Sequence, residues 1–190
     1  MSDEPTVNIP LRFADATFDT YQAVNTQAGS NRDICREYAE TWLSRKAAGE
    51  GLLLCGTPGT GKTHLAASIA RHVADKTQES VFITTAARII RAFRRTWAGS
   101  HEIGELDVLA KYCEPGLLIV DEIGVQYGTD SERNILFEVI NDRYEDMLPT
   151  IMISNLPLSE LSALLGERVV DRMIEGGTVL SFNWPSYRSL

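Results

Sequence analysis

Short apolar runs alternate with longer amphipathic stretches along this chain. The runs are Leu52 to Cys55, Val81 to Thr84, Leu117 to Val120, Thr150 to Ser154 and Thr178 to Phe182, and each reads as a strand. Leu117 to Val120 is apolar throughout, which predicts burial on both faces. Between the runs the period changes to that of a helix. Ile34, Tyr38 and Trp42 recur every four residues, as do Cys35, Ala39 and Leu43. They predict one amphipathic helix, opened by a capping box at Ser30 and Asp33 and ended by Gly49 and Gly51. Further helices are predicted over His64 to Ala74, over AARIIRAFRRTW after Thr85 until Gly99, from about Glu102 to Tyr112, and from Ser131 to Asp146. In the last of these Ile135, Leu136, Val139 and Ile140 point inward, and Pro149 follows as a breaker. A short helix follows Pro157, another carries ERVVDRM, and Gly176 and Gly177 turn the chain into the last strand. Strands alternating with helices predict a parallel sheet covered on both faces, with ligands at the carboxyl ends of its strands.

Composition narrows the class. A length of 190 residues with 44% hydrophobic and 23% charged content suits one soluble globular domain. The net charge of −8 means that any contact with nucleic acid needs a local basic patch. The first residues, MSDEPTVNIP, have neither a basic nor an apolar segment of the secretory kind, and no apolar run is long enough to span a bilayer. Cys35, Cys55 and Cys113 are odd in number and lack C-x-x-C spacing, so they read as reduced thiols in the cytoplasm. His64, His72 and His101 form no metal-ligand pattern. Residues 1–12 read as a polar tail and 13–190 as the domain.

The candidate chemistry begins at LLLCGTPGTGKT. Gly56, Thr57, Pro58, Gly59, Thr60, Gly61, Lys62 and Thr63 follow a strand and precede a helix that continues through His64, the context of a G-x-x-x-x-G-K-[ST] phosphate loop. Its glycines let backbone N–H groups face an anion, and the helix N-terminus adds positive potential. Lys62 would reach the β- and γ-phosphates, and the Thr63 hydroxyl would ligate Mg²⁺. About sixty residues on, LLIVDE lifts two carboxylates from a strand end. Asp121 would hold Mg²⁺ through water, and Glu122 would orient and polarise the attacking water. Asn155, after the next strand, is placed to bond the γ-phosphate or that water. Upstream, Phe13, Phe18 and Tyr21 mark a strap that either packs on the core or also closes over the nucleotide base, with Phe18 and Tyr21 as the base contacts.

Taken together, GTPGTGKT, LLIVDE and the Ser-Asn after the fourth strand resemble an AAA+ ATPase. DEIGVQ, LLGERVVDRM and FNWPSYRS resemble, more specifically, the ATPase domain of DnaC-type replicative helicase loaders, over about Arg12 to Ser189. The related IstB-type transposition helper ATPases share the core but usually read differently after the acidic pair. The resemblance implies a three-layer core with a five-stranded parallel sheet, ATP and Mg²⁺ as cofactors, and sites completed by a neighbouring subunit in a spiral or ring-like oligomer. It gives Lys62 and Thr63 the Walker A role, Asp121 and Glu122 the Walker B role and Asn155 the sensor 1 role. The arginine finger falls at Arg172 or Arg168, and Arg188 matches sensor 2. Spacing alone instead reads the two helix arginines as surface pairs of Glu167 and Asp171. Family loaders carry an N-terminal domain that grips the helicase. Only about a dozen residues precede the match here, which predicts a truncated loader or a short relative that binds its helicase differently. The chain ends two residues after Arg188, so no separate lid domain is expected.

One helix carries a second expectation. Ile89, Ile90, Phe93 and Trp97 lie on one side at helical spacing, and Arg88, Arg91, Arg94 and Arg95 lie on the other. Arginines beside an aromatic suit a single-stranded DNA backbone with stacked bases. The expected protein is an ATP-hydrolysing helicase loader in DNA replication, with single-stranded DNA and a replicative helicase as partners. The rivals are an IstB-like transposition helper and a nucleotide-dependent adaptor without useful turnover, against which the intact Glu122 argues.

Overall fold

The computed structural model describes residues 7–97, 104–125 and 129–187. Its strands are β1 (Gly51–Gly56), β2 (Val81–Thr85), β3 (Leu117–Ile123), β4 (Thr150–Ser154) and β5 (Gly177–Phe182). They form one parallel sheet in the order β2-β3-β4-β1-β5. The helices are α1 (Thr26–Glu40), α2 (Trp42–Ala48), α3 (Lys62–Thr77), α4 (Ala86–Trp97), α5 (Glu105–Cys113), α6 (Asp130–Glu145), α7 (Leu158–Leu165) and α8 (Glu167–Glu175).

Alternation within each central strand divides the core into two layers, because successive side chains leave opposite faces. Leu52, Leu54, Leu117, Ile119, Ile151 and Ile153 pack with α1, α2 and α3. Leu53, Leu118, Val120 and Met152 pack with α4 to α8 on the other face. The helical periods read from the sequence hold in the buried sets Ile135, Leu136, Val139, Ile140 of α6 and Ile89, Ile90, Phe93 of α4.

Three expectations change. The single N-terminal helix is two. Its cap is Asn25, whose side chain accepts the Ala28 N–H at 2.7 Å, and Ser30 lies inside the helix. The break falls at Thr41, whose hydroxyl donates to the Glu37 carbonyl at 2.8 Å while its backbone leaves the helical region. Trp97 is not on the packed side of α4: it is 53% exposed, with its indole N–H donating to Glu105. Val7 and Asn8, grouped with the polar tail, are fastened to the sheet. Val7 bridges Val81, and the Asn8 amide both accepts the Ile83 N–H at 2.6 Å and donates to the Ile83 carbonyl at 2.8 Å. Gly99, the expected stop of α4, lies outside the described residues.

Candidate nucleotide site

The loop between β1 and α3 is built around backbone that only glycine suits. Gly61 has φ +94°, and a Cβ there would strike the Tyr21 ring. The Tyr21 hydroxyl donates to the Thr60 carbonyl at 3.1 Å, so the strap is seated on the loop itself. At the start of α3, Lys62 is only 4% exposed. Its Nζ donates to the carbonyls of Gly56 and Thr57, both at 2.7 Å, and lies 5.9 Å over the Phe182 ring. Burial lowers its pKa to about 8, and the nearby Asp121 carboxylate offsets this only in part. One residue on, the Thr63 hydroxyl donates to Asp121 Oδ2 at 2.8 Å. His64 turns to the strap: its Nε2 lies 2.9 Å from the Thr17 carbonyl, which only accepts, so that nitrogen carries the proton.

The acidic pair sits where β3 loses register with β4, between Val120 and Ile123. Glu122 has φ +59°, an uncommon conformation for a residue with a side chain. Its N–H is held by Asp121 Oδ1 at 2.6 Å. The shift lets the strand end present both carboxyl groups rather than bury every second one. Ser154 pins the neighbouring strand end: its hydroxyl donates to the Ile123 carbonyl at 2.7 Å and accepts the Leu156 N–H at 3.1 Å. Asn155 is thereby carried beside Glu122.

These parts converge on one cleft of about 460 Å³ at the carboxyl edge of the sheet, within the size range of small-molecule sites. Pro58 to His64, Asp121, Glu122, Asn155 and Tyr21 line it, while Gly56 and Thr57 lie behind the lining. Phe18 does not line it. It is buried outside the cleft, under the Arg36 guanidinium at 5.7 Å and beside His72. Besides Tyr21, the aromatic of the strap that lines the cleft is Phe13, with Arg12, Gln22 and Tyr187, three residues that the sequence did not mark as site residues. Nothing in their local pattern points to a site, because they come from the two ends of the chain and meet only in the fold. The donor set suits Mg²⁺: one hydroxyl and one carboxylate, with no cluster of three or more His, Cys, Asp or Glu among the described residues.

The described finger and DNA-contact arginines lie outside this cleft. Arg168 is exposed near the start of α8, and Arg172 lies in its last turn at the opposite edge of the sheet. Neither forms an ion pair with Glu167 or Asp171 among the described residues. Instead the Arg172 guanidinium stacks over Phe137 at 5.3 Å and Tyr144 at 5.0 Å, and its buried Nη1 has no hydrogen-bond partner among those residues. Arg188 lies outside the described residues. On α4, Arg88, Arg91, Arg94 and Arg95 are all exposed, and Arg94 pairs with the buried Glu132 at 3.0 Å.

A phosphate loop, an acidic strand end and a polar residue on the next strand, mounted on a 5-1-4-3-2 parallel sheet, define a P-loop nucleotide-binding protein of the AAA+ fold. A family model described as IstB-like ATP binding protein matches residues 10–190, and the chain belongs to that family. Among its relatives is the replicative helicase loader DnaC of Escherichia coli strain K12, 38% identical over 92% of this chain and 70% of the relative. The DnaC of Buchnera aphidicola subsp. Baizongia pistaciae is 36% identical over 80% of this chain and 61% of its own length. The chain thus spans about six to seven tenths of the loaders it matches. A crystal structure of the DnaC helicase loader superposes with a TM-score of 0.81 at 23% identity, over 91% of this chain and 99% of that one. No helix among the described residues is long and apolar enough to cross a membrane.

Proposed function

We propose that this chain is an ATP-hydrolysing, DnaC-like helicase loader of DNA replication. It works in the cytoplasm, assembling on single-stranded DNA and on a replicative helicase. The observation that carries the reading is the Thr63–Asp121 hydrogen bond with Glu122 beside it. Those groups hold the places of Mg²⁺ ligand, acceptor for metal-bound water, and base. When bound, Mg²⁺ neutralises phosphate charge. Lys62 then exchanges two loop carbonyls for phosphate oxygens, Glu122 takes the proton of the attacking water, and Asn155 orients that water or the γ-phosphate. Two arginines compete for the finger that completes a neighbour's site. Arg172 offers a guanidinium already fixed between two rings with a donor unpaired, and Arg168 offers exposure.

Glu122→Gln should retain ATP binding and lose turnover by at least about a hundredfold, because shape survives while the base is lost. Phosphate release and nucleotide titration on the same protein read both effects, and parental turnover would remove Glu122 from the mechanism. The DNA reading rests on the exposed α4 arginines. In the net acidic protein, Arg94→Glu should weaken single-stranded DNA binding a few-fold and flatten its salt dependence. Anisotropy over a salt series, with and without a non-hydrolysable ATP analogue, measures this. Unaltered binding would return α4 to a solvated face.

A further inference from the structure

Two apolar side chains at opposite edges of the sheet are not explained by the fold. At the carboxyl edge the strap makes a 3-10 turn over Leu11–Phe13 that buries none of its residues. Leu11 is 93% exposed. Arg12 beside it lines the cleft and forms no ion pair among the described residues.

At the amino edge the counterpart is Met147, just past the end of α6. The Leu148 N–H donates to the Arg143 carbonyl at 2.8 Å and the Met147 N–H to the Tyr144 carbonyl at 3.2 Å. This pair of bonds closes a helix through one residue in the left-handed conformation, a place where glycine is the common choice. Met147 takes that conformation, at φ +54°. It is also half-exposed. The turn alone would be better served by glycine, so the side chain is to be explained by something outside the fold. Around it the surface is open. A Cβ on Gly49 would come within 3.2 Å of the Met147 methyl, and one on Gly176 would come within 3.8 Å of the Tyr144 ring. Tyr144, Met147 and two bare glycines thus make one apolar patch.

The two surfaces match in kind. Leu11 is an apolar knob with a cation beside it. The patch has exposed carboxylates at its margin, those of Glu145, Asp146 and Glu175, and the Tyr144 hydroxyl is bonded to Glu175 at 3.2 Å. A net charge of −8 repels copies of the chain at long range, so contact between them needs a local match of this sort. Position links the two surfaces as well. The Arg172 guanidinium lies 5.0 Å over the Tyr144 ring. A neighbour's cleft that receives Arg172 would bring its own strap turn to Tyr144 and Met147, because Arg12 lines that cleft.

We infer that one copy of the chain docks Leu11 on Tyr144 and Met147 of the next, with Arg12 against the acidic margin. The contact joins two different surfaces, so each copy keeps one of each free and assembly propagates. The inference rests on the reading that Arg172 completes a neighbour's site, and it adds the surface that holds the two copies in register.

The test is sedimentation velocity of the whole chain with Mg²⁺ and a non-hydrolysable ATP analogue, with and without a single-stranded oligonucleotide. The parent should self-associate. Leu11→Asp should weaken association by roughly tenfold or more, the scale set by burying one leucine. Met147→Gly should also weaken it, while thermal melts show equal or higher stability because glycine suits the turn. A merely structural Met147 would give the stability change and leave association alone. Cross-linking adds a direct reading. In a Cys113→Ser background, Leu11→Cys combined with Met147→Cys should give a ladder of covalent multimers on mild oxidation. The two positions lie at opposite edges of the sheet, so each bond must join different copies. Either single variant should stop at dimers. Parental association by Leu11→Asp or Met147→Gly, or absence of the ladder, overturns the docking and leaves assembly standing. A parent that stays monomeric under every condition overturns assembly and the docking with it.

Discussion

The two edges of the sheet follow opposite rules. At the carboxyl edge the backbone is bent into uncommon conformations at Gly59, Gly61 and Glu122, and a buried lysine is held by carbonyls with its pKa pushed down to about 8. At the amino edge the buried cation is Arg143, 0% exposed. It stands at the end of α6 and donates to the carbonyls of Tyr112, Pro115 and Pro149 and to the Thr150 hydroxyl, at 2.7 to 3.0 Å. Those groups close the loops that lead into β3 and β4. Lys62 keeps a compact charge that a phosphate can claim. Arg143 has its donors committed in a fixed fork and nothing to exchange them for. Burial of a cation is therefore not by itself a sign of function; what matters is whether its partners can be replaced.

Arg172 is the place to break that contrast, because it is an amino-edge cation with a donor left over. If subunits stack head to tail, it meets a neighbour's carboxyl edge. Arg172→Ala or Arg168→Ala should then cut turnover by roughly a thousandfold while nucleotide binding persists. Mixing that protein with Glu122→Gln should restore part of the activity, since one interface can combine an intact finger with an intact base. A lack of rescue at every mixing ratio would leave the amino edge purely structural.

Arg143→Met sharpens the contrast from the other side. It removes the guanidinium donors from the carbonyls of Tyr112, Pro115 and Pro149 and should lower stability by about 3 kcal/mol, roughly a hundredfold in the folding equilibrium. Denaturant unfolding measures the loss, and ATP affinity in the folded fraction should not move.

The smallest effect concerns pH at Lys62. Burial has lowered its folded pKa from 10.5 to about 8, so between those values the unfolded chain binds more protons. The ligand-free fold therefore gains stability from this group as pH rises through that window. Bound phosphate favours the charged amine, so nucleotide affinity moves the other way and falls by up to about tenfold per unit above pH 8. Calorimetry in buffers of different ionisation enthalpy should find proton uptake at pH 9 and almost none at pH 7. Affinity that is flat across this range would contradict the buried, displaced lysine.

The sequence made the carboxyl edge legible because its chemistry is local: LLLCGTPGTGKT and LLIVDE each carry strand, turn and reactive group within a dozen residues. The order of the helices and strands was legible for the same reason, since each period is read over one turn or one pleat. What stayed hidden depends on distant partners. Arg143 looks like any charged position near a helix end until two loops converge on it. Phe18 and Phe13 have the same local setting, and only the path of the strap decides which of them reaches the cleft. The split of the first helix at Thr41 turns on one hydroxyl that competes with the backbone ladder.

The Asn8 amide has a counterpart across the molecule. On the far side of the sheet, Gln27 and Asn31 both donate to the Ser181 carbonyl of β5, at 3.1 and 2.9 Å. Side-chain amides therefore occupy hydrogen-bonding groups on the outer strands at both margins. An open parallel sheet otherwise offers unpaired backbone that invites another chain to continue it, the usual route to strand-by-strand aggregation. Here that route is obstructed at both ends, which steers copies of the molecule away from merging their sheets and toward contacts made by helices and loops.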